Sequence, residues 1–140
     1  MNDSFFLDTN IIIYSFDQPP SPKGEVANRL LHHALLTHKG VVSYQVVQEF
    51  FNVARRRSPG PMRLAEAEHF LSAVLIPLCT IHSSPALFHK ALQLVERFQT
   101  QWYAALIVAS ALQARCGILY SEDFQNGQKF DDLEIRNPFM

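Results

Sequence analysis

Phe5-Phe6-Leu7-Asp8-Thr9-Asn10 decides the fold class of this chain. The apolar run reads as an N-terminal strand, and Asp-Thr-Asn is ordinary turn chemistry, so a carboxylate stands where the strand stops. In open parallel α/β sheets, ligands collect just outside the carboxyl ends of strands, where loops aim polar groups into a crevice without burying them unpaired. Far downstream, Ile118-Leu119-Tyr120 runs into Ser121-Glu122-Asp123, the same order of apolar strand then acid. Two distant segments can thus bring carboxylates to one crevice, and such a crevice would hold a cation.

The residues between alternate in type. Ser21-Pro22 reads as an N-cap with proline in the first helical turn, followed by Val26, Leu30, Leu31, Ala34 and Leu35 at helical spacing and by Gly40 as the stop. Val41-Val42 is a short buried strand, and Ser43 caps a helix whose apolar face carries Val46, Phe50 and Val53. Arg55-Arg56-Arg57 closes that helix, where cations suit the carbonyl end of its dipole. Ser58-Pro59-Gly60-Pro61 is a loop, too short to link two domains. A helix is predicted over Leu64 to Leu75 and a strand over Leu78 to Ile81. Ser84-Pro85 opens a further helix with Leu87, Ala91, Leu94, Val95 and Phe98 on its apolar side. Trp102 to Arg115, apolar almost all round, predicts a buried helix stopped by Gly117, and Leu133-Glu134-Ile135 supplies a last strand. Strands alternating with helices call for a mostly parallel sheet covered on both faces: the fold class is α/β, in a single domain over residues 1–140.

Composition bounds the function. The chain has 140 residues, 48% of them hydrophobic, enough for one core. No apolar stretch reaches the roughly 20 residues of a membrane span, and the start lacks the order of a signal peptide, so a cytoplasmic location is expected. Cys79 and Cys116 form no C-x-x-C pair, which favours reduced thiols. A net charge of −1, from 12 basic and 13 acidic residues, argues against broad electrostatic capture of nucleic acid. No phosphate-binding glycine motif is present, and Ser43 and Ser121 lack the companions of a serine hydrolase.

Glu49 shares the inward face of its helix, one residue before Phe50, with no basic residue one turn away to pair with it. An ionised group so placed needs a partner, a metal or a raised pKa. If Asp8, Glu49 and Asp123 converge within about 5 Å, each pair repels by on the order of 3 kcal/mol at an effective dielectric of 20. Such a cluster needs a cation or a proton, and hard oxygen ligands favour Mg²⁺ or Mn²⁺ over zinc.

Phe6-Leu7-Asp8-Thr9-Asn10-Ile11, Val47-Gln48-Glu49-Phe50, Tyr103 to Ala109, Leu119 to Phe124 and Ile135 to Phe139 together resemble a PIN domain of the VapC toxin type, nearly from end to end. The resemblance implies a three-layer α/β/α fold and a metal-dependent ribonuclease, the toxin of a toxin–antitoxin pair. It implies a homodimer with an antitoxin partner and an RNA substrate, tRNA being one candidate. By position, Asp8, Glu49 and Asp123 would be the metal-binding catalytic acids, and Thr9 or Asn10 would orient Asp8. Apart from the resemblance, Glu122 reads as a solvated neighbour or a supporting group rather than a ligand, and Ser121 as a supporting residue. Arg55, Arg56 and Arg57 are candidates for RNA phosphates, although a charge run at a helix end is more often a solvated face.

One position departs from the family pattern. An aspartate belongs in the first turn of the long apolar helix, and here Ala104 follows Tyr103. Either activity has been lost, or an aspartate was replaced to make a toxic nuclease expressible; the intact remainder of the site favours replacement. The expected function is a crippled endoribonuclease. The alternative is a degenerate domain that grips RNA or a protein without cutting. A phosphoaspartyl enzyme with Asp8 as nucleophile is disfavoured, because Asn10 stands where its second acid would be.

Overall fold

Strand β1 (Phe5–Leu7) lies inside the sheet because all three of its side chains are buried, as a strand covered on both faces requires. The computed structural model describes residues 3–17, 19–56 and 61–140. In chain order, α1 (Thr9–Tyr14) and α2 (Pro22–Thr37) lead to β2 (Gly40–Ser43) and α3 (Tyr44–Ala54). Then α4 (Leu64–Phe70) widens into a π-helical turn over Leu71–Leu75 and ends as the short α5 (Ile76–Leu78) before β3 (Cys79–Ile81). The widened turn sits just ahead of Pro77, which has no backbone hydrogen to give to the preceding turn. Next come α6 (Pro85–Phe98), α7 (Trp102–Gln113), β4 (Ile118–Tyr120), β5 (Lys129–Phe130) and β6 (Leu133–Arg136).

Among the described residues the strands form one sheet in the order β3-β2-β1-β4-β6-β5. Every neighbouring pair is parallel except β5 with β6. The α/β class is therefore as expected. Neighbours β1 and β4 run in register, Phe5 against Ile118 and Leu7 against Tyr120, so their carboxyl ends finish side by side. Asp8 N–H then donates to Tyr120 O at 3.1 Å, and the two following loops leave the sheet together.

The helix starts follow their caps. Ser21, Ser43 and Ser84 each accept a backbone N–H of the first turn, from Gly24, Val46 and Leu87. The turn expected after β1 is instead the start of α1: Asp8 is its N-cap, and Ile11 and Ile12 bury completely, so packing offsets their modest helix propensity. Gly40 does not stop α2. His38, in the left-handed conformation at φ 59°, does so, while Gly40 opens β2 where a Cβ would fall 2.2 Å from the Ala34 Cβ. Gly117 likewise yields the left-handed position after α7 to Arg115, at φ 60°.

Helix α7 is buried from Ala105 to Ala111 by its own chain. That burial is what its all-round apolar sequence predicts; the exposed large apolar or aromatic residues of this region are Phe88 and Leu92 on α6 and Tyr103 in the first turn of α7. Cys79 and Cys116 are free thiols, as expected. Among the described residues, no helix is long and apolar enough to cross a membrane. Arg57 and most of the Ser58–Pro61 loop lie outside the described residues.

Candidate active site

Asp8 is set by the end of β1 and is only 6% exposed. Its Oδ1 accepts Thr9 N–H at 2.7 Å, and its Oδ2 accepts the Ser121 hydroxyl at 2.7 Å. Desolvation nevertheless dominates: burial pushes the carboxyl up to about 6, against the two hydrogen bonds and with help from the charges of Asp123 and Glu49. Ser121 also accepts Asp123 N–H at 3.0 Å, so one hydroxyl shapes both loops.

Glu49 projects from the middle of α3 and is half-buried. The Thr9 hydroxyl donates to its Oε1 at 2.7 Å and Gln45 Nε2 to its Oε2 at 3.3 Å, which answers the sequence question of what faces it. Gln45 Nε2 also reaches Tyr103 O, at 3.2 Å, tying α3 to the first turn of α7. Asp123 stands exposed at the mouth of the site. Its carboxyl is raised, first by partial desolvation and then by the Glu122 and Glu49 charges, with the Asn10 amide pulling the other way.

Asp8, Glu49, Asp123 and Ala104 all line one open cleft of about 690 Å³. Three carboxylates expected from the sequence to share a site are thus brought together, and Ala104 occupies the same wall. Asn10 lines it as well, with a buried side-chain amide whose Nδ2 and Oδ1 complete no hydrogen bond among the described residues. Of the two residues expected to orient Asp8, Thr9 does so through its backbone; Asn10 sits by Asp123 instead. Among the described residues, no three carboxylate, imidazole or thiol side chains meet closely enough to hold an ion as they stand.

Glu122 turns away from this cluster. It accepts from the Tyr14 hydroxyl and from Lys23 Nζ, the latter at 2.9 Å. Lys23 in turn lies 4.9 Å from the Tyr14 ring centre and 5.3 Å from that of Phe139. Partial desolvation opposes those hydrogen bonds, but they win, and the Glu122 carboxyl falls below its ordinary value. Arg55 and Arg56 are outside the cleft lining: Arg55 donates to Met62 O, and Arg56 Nε to Asn52 O at 2.8 Å. Sequence reasoning missed Gln45, whose role depends on a contact with Tyr103, 58 residues away.

A mostly parallel α/β sheet with an acidic cleft at the carboxyl ends of its central strands defines the architecture. The chain belongs to the PIN domain family, whose pattern matches residues 5–131. Similar folds occur in a toxin–antitoxin complex from Klebsiella pneumoniae (TM-score 0.68, 17% identity, 96% of this chain and 98% of that one). They occur also in the sarcin–ricin-loop-cleaving toxin VapC20 of Mycobacterium tuberculosis (TM-score 0.62, 19% identity, 86% and 90%). A third is VapBC2 of Rickettsia felis bound to a fragment of its promoter DNA (TM-score 0.64, 17% identity, 95% and 97%). No curated protein matches the chain by sequence.

Proposed function

We propose that this chain is a metal-dependent endoribonuclease of the toxin–antitoxin kind, crippled by alanine at position 104. The observation that carries the reading is the convergence of Asp8, Glu49 and Asp123, from three separate segments, on one cleft whose wall also presents Ala104. The donor chemistry fits a hard cation: all three side chains offer carboxylate oxygens, and the buried Asn10 amide, which acts on Asp123 without completing a full hydrogen bond, stands beside them. Asp8 and Asp123 would hold Mg²⁺ or Mn²⁺, with Glu49 beside them. Such an ion supplies Lewis-acid stabilisation of a phosphoryl transition state.

The chain's own residues do the rest. Ser121 and the Thr9 backbone fix both oxygens of Asp8, and Thr9 and Gln45 fix both oxygens of Glu49, so the acids are oriented before anything binds. At position 104 a side chain would emerge from the third residue of α7, where the helix dipole favours an anion. Alanine leaves that place without an oxygen.

The test is paired. Ala104→Asp should confer divalent-dependent cleavage of an RNA pool, tRNA included, and Ala104→Asp combined with Asp8→Ala should abolish it. A second reading, a degenerate domain that binds RNA or a protein without cutting, draws on Ala104 itself and on the incomplete ion cage. It prevails if Ala104→Asp cuts nothing while the parent chain binds RNA or a partner tightly. An antitoxin and a second copy of this chain are the protein partners of the first reading, and light scattering with and without the antitoxin tests both.

A further inference from the structure

Glu122 precedes Asp123 in the chain, and both of its carboxylate oxygens are taken. Oε1 accepts the Tyr14 hydroxyl, and Oε2 accepts Lys23 Nζ at 2.9 Å. Lys23 Nζ also reaches the Tyr14 hydroxyl at 3.4 Å, so the three side chains close a triangle. Phe139 walls it: the Phe139 and Tyr14 rings meet edge to face with centres 5.1 Å apart, and Lys23 lies over the Phe139 ring. An exposed ion pair alone would hold little. Here the Glu122 side chain is only 21% exposed, and two donors on its two oxygens leave it one orientation.

The triangle joins separate segments of the chain. Tyr14 ends α1, whose N-cap is Asp8, while Lys23 lies in the first turn of α2, Glu122 follows β4 and Phe139 follows β6. The described lining of the acidic cleft contains none of these four residues. Their effect on it runs through the backbone. Asp8 and Glu49 are held by hydrogen bonds to both oxygens, whereas the Asp123 carboxyl is met, among the described residues, by an Asn10 amide that completes no full bond. Asp123 therefore takes its place from its chain neighbours. Buried Ser121 accepts the Asp123 N–H at 3.0 Å, and Phe124 packs at 5.9 Å against Phe130 of the core. Glu122 is the remaining anchor of this loop. Released, it would loosen the path to Asp123 and carry a further negative charge toward the acids.

We propose that Tyr14 and Lys23 are positioning residues that act through Glu122 to hold Asp123 at the cleft and to keep the Glu122 charge out of it. The proposal rests on the ribonuclease reading for what Asp123 does there. The clamp itself is measured without metal, so the two can fail separately.

The experiment follows backbone amide exchange by NMR in the metal-free full chain. Tyr14→Phe removes one oxygen and keeps the ring against Phe139, and it should speed exchange of the Asp123 N–H about tenfold, as loss of one hydrogen bond implies. Glu122→Ala should do at least as much, and the double variant no more than Glu122→Ala, because both break one path. Lys23→Arg, which keeps the cation, should stay within about twofold, as should Arg97→Ala, which breaks an exposed pair with Asp131 instead. Exchange at Leu7 and Leu119, in the core strands, should not change. In the Ala104→Asp form, Tyr14→Phe should also weaken Mn²⁺ binding, read by electron paramagnetic resonance, by about tenfold. An Asp123 N–H unmoved in Tyr14→Phe overturns the proposal, and so does one that quickens only in step with Leu7 and Leu119, which would mean a general loss of stability. Tighter Mn²⁺ binding in Tyr14→Phe also overturns it, since the released Glu122 would then be a ligand. If no form binds Mn²⁺, the metal-dependent reading fails and the exchange rates still decide the clamp; if Mn²⁺ binds while the Asp123 N–H is unmoved, the clamp fails alone.

Discussion

The hydroxyl of Ser121 donates to Asp8 Oδ2 at 2.7 Å, joining residues 113 apart in the chain. The same oxygen accepts Asp123 N–H at 3.0 Å. Ser121 is fully buried, so water has no access with which to replace either bond. One side chain therefore holds one acid directly and sets the backbone path of a second.

Ser121→Ala should accordingly destabilise the protein by about 2 kcal/mol, the cost of removing a hydrogen bond to a buried carboxylate and leaving an N–H unmet. It should also raise the Asp8 pKa further, since that bond lowers it. Urea denaturation reads the first effect, and carboxyl NMR titration the second. Ser121→Thr, which keeps the hydroxyl, should restore the pKa; a pKa unmoved in Ser121→Ala would refute the coupling.

Asp8 makes the metal-free protein less stable as pH rises. Its folded pKa of about 6 lies above the ordinary 3.8, so between those values the folded state holds the proton more strongly than the unfolded chain does. Stability is then full below pH 4 as far as this group is concerned, falls through the window from 4 to 6, and is lower by about 3 kcal/mol above it. Thermal midpoints recorded with a chelator from pH 4 to 7 should show the decline relative to Asp8→Asn, which has no proton to lose. Parallel curves for the two proteins would mean that the burial of Asp8 carries no such penalty.

Much of this was legible in the sequence. Phe5-Phe6-Leu7 and Ile118-Leu119-Tyr120 announce strands because buried parallel strands are continuously apolar, and the acid after each marks the site. What escaped was set by contacts remote in sequence. Asp8-Thr9-Asn10 suits a turn or a helix cap equally, and only the burial of Ile11 and Ile12 selects α1. Strand β5 has two residues and owes its place to antiparallel pairing with β6. Glu122 stood beside the candidate acids in the sequence, yet Tyr14 and Lys23 draw it elsewhere. The left-handed helix ends fell to His38 and Arg115 although glycines stand nearby.

Gly40 is required by space rather than by a positive φ. A Cβ there would lie 2.2 Å from Ala34 Cβ and 2.9 Å from its Cα, so β2 and α2 must part. Gly40→Ala should cost about 3 kcal/mol, at the upper end for overpacking because backbone as well as side chain obstructs it. Ala34→Gly should recover part of the loss but not all, since the backbone of α2 still stands in the way. Urea midpoints of the two single variants and the double variant check this, and additive losses would contradict the clash.

Ala104→Asp should make the metal-free protein less stable and the metal-bound protein more so. Two local terms compete. An aspartate in the first turn of α7 gains about 0.3–1 kcal/mol from the helix dipole. Against it stand Asp8, Glu49 and Asp123 in the same cleft, each costing about 1 kcal/mol or more at close range even with strong solvent screening. Repulsion wins without metal, and the midpoint of thermal unfolding in chelator should fall by a few degrees. With a divalent ion the sign reverses, because a fourth oxygen donor turns an incomplete set into a more complete one, and saturation at about 100 times Kd adds about 2.7 kcal/mol. The parent chain should gain much less from the same Mg²⁺ or Mn²⁺ concentration. Differential scanning fluorimetry of both proteins, with and without metal and at pH 7.5 so that Asp8 is ionised, reads this crossing directly. If Ala104→Asp is as stable as the parent in chelator and gains no more from metal, position 104 does not belong to the acid cluster.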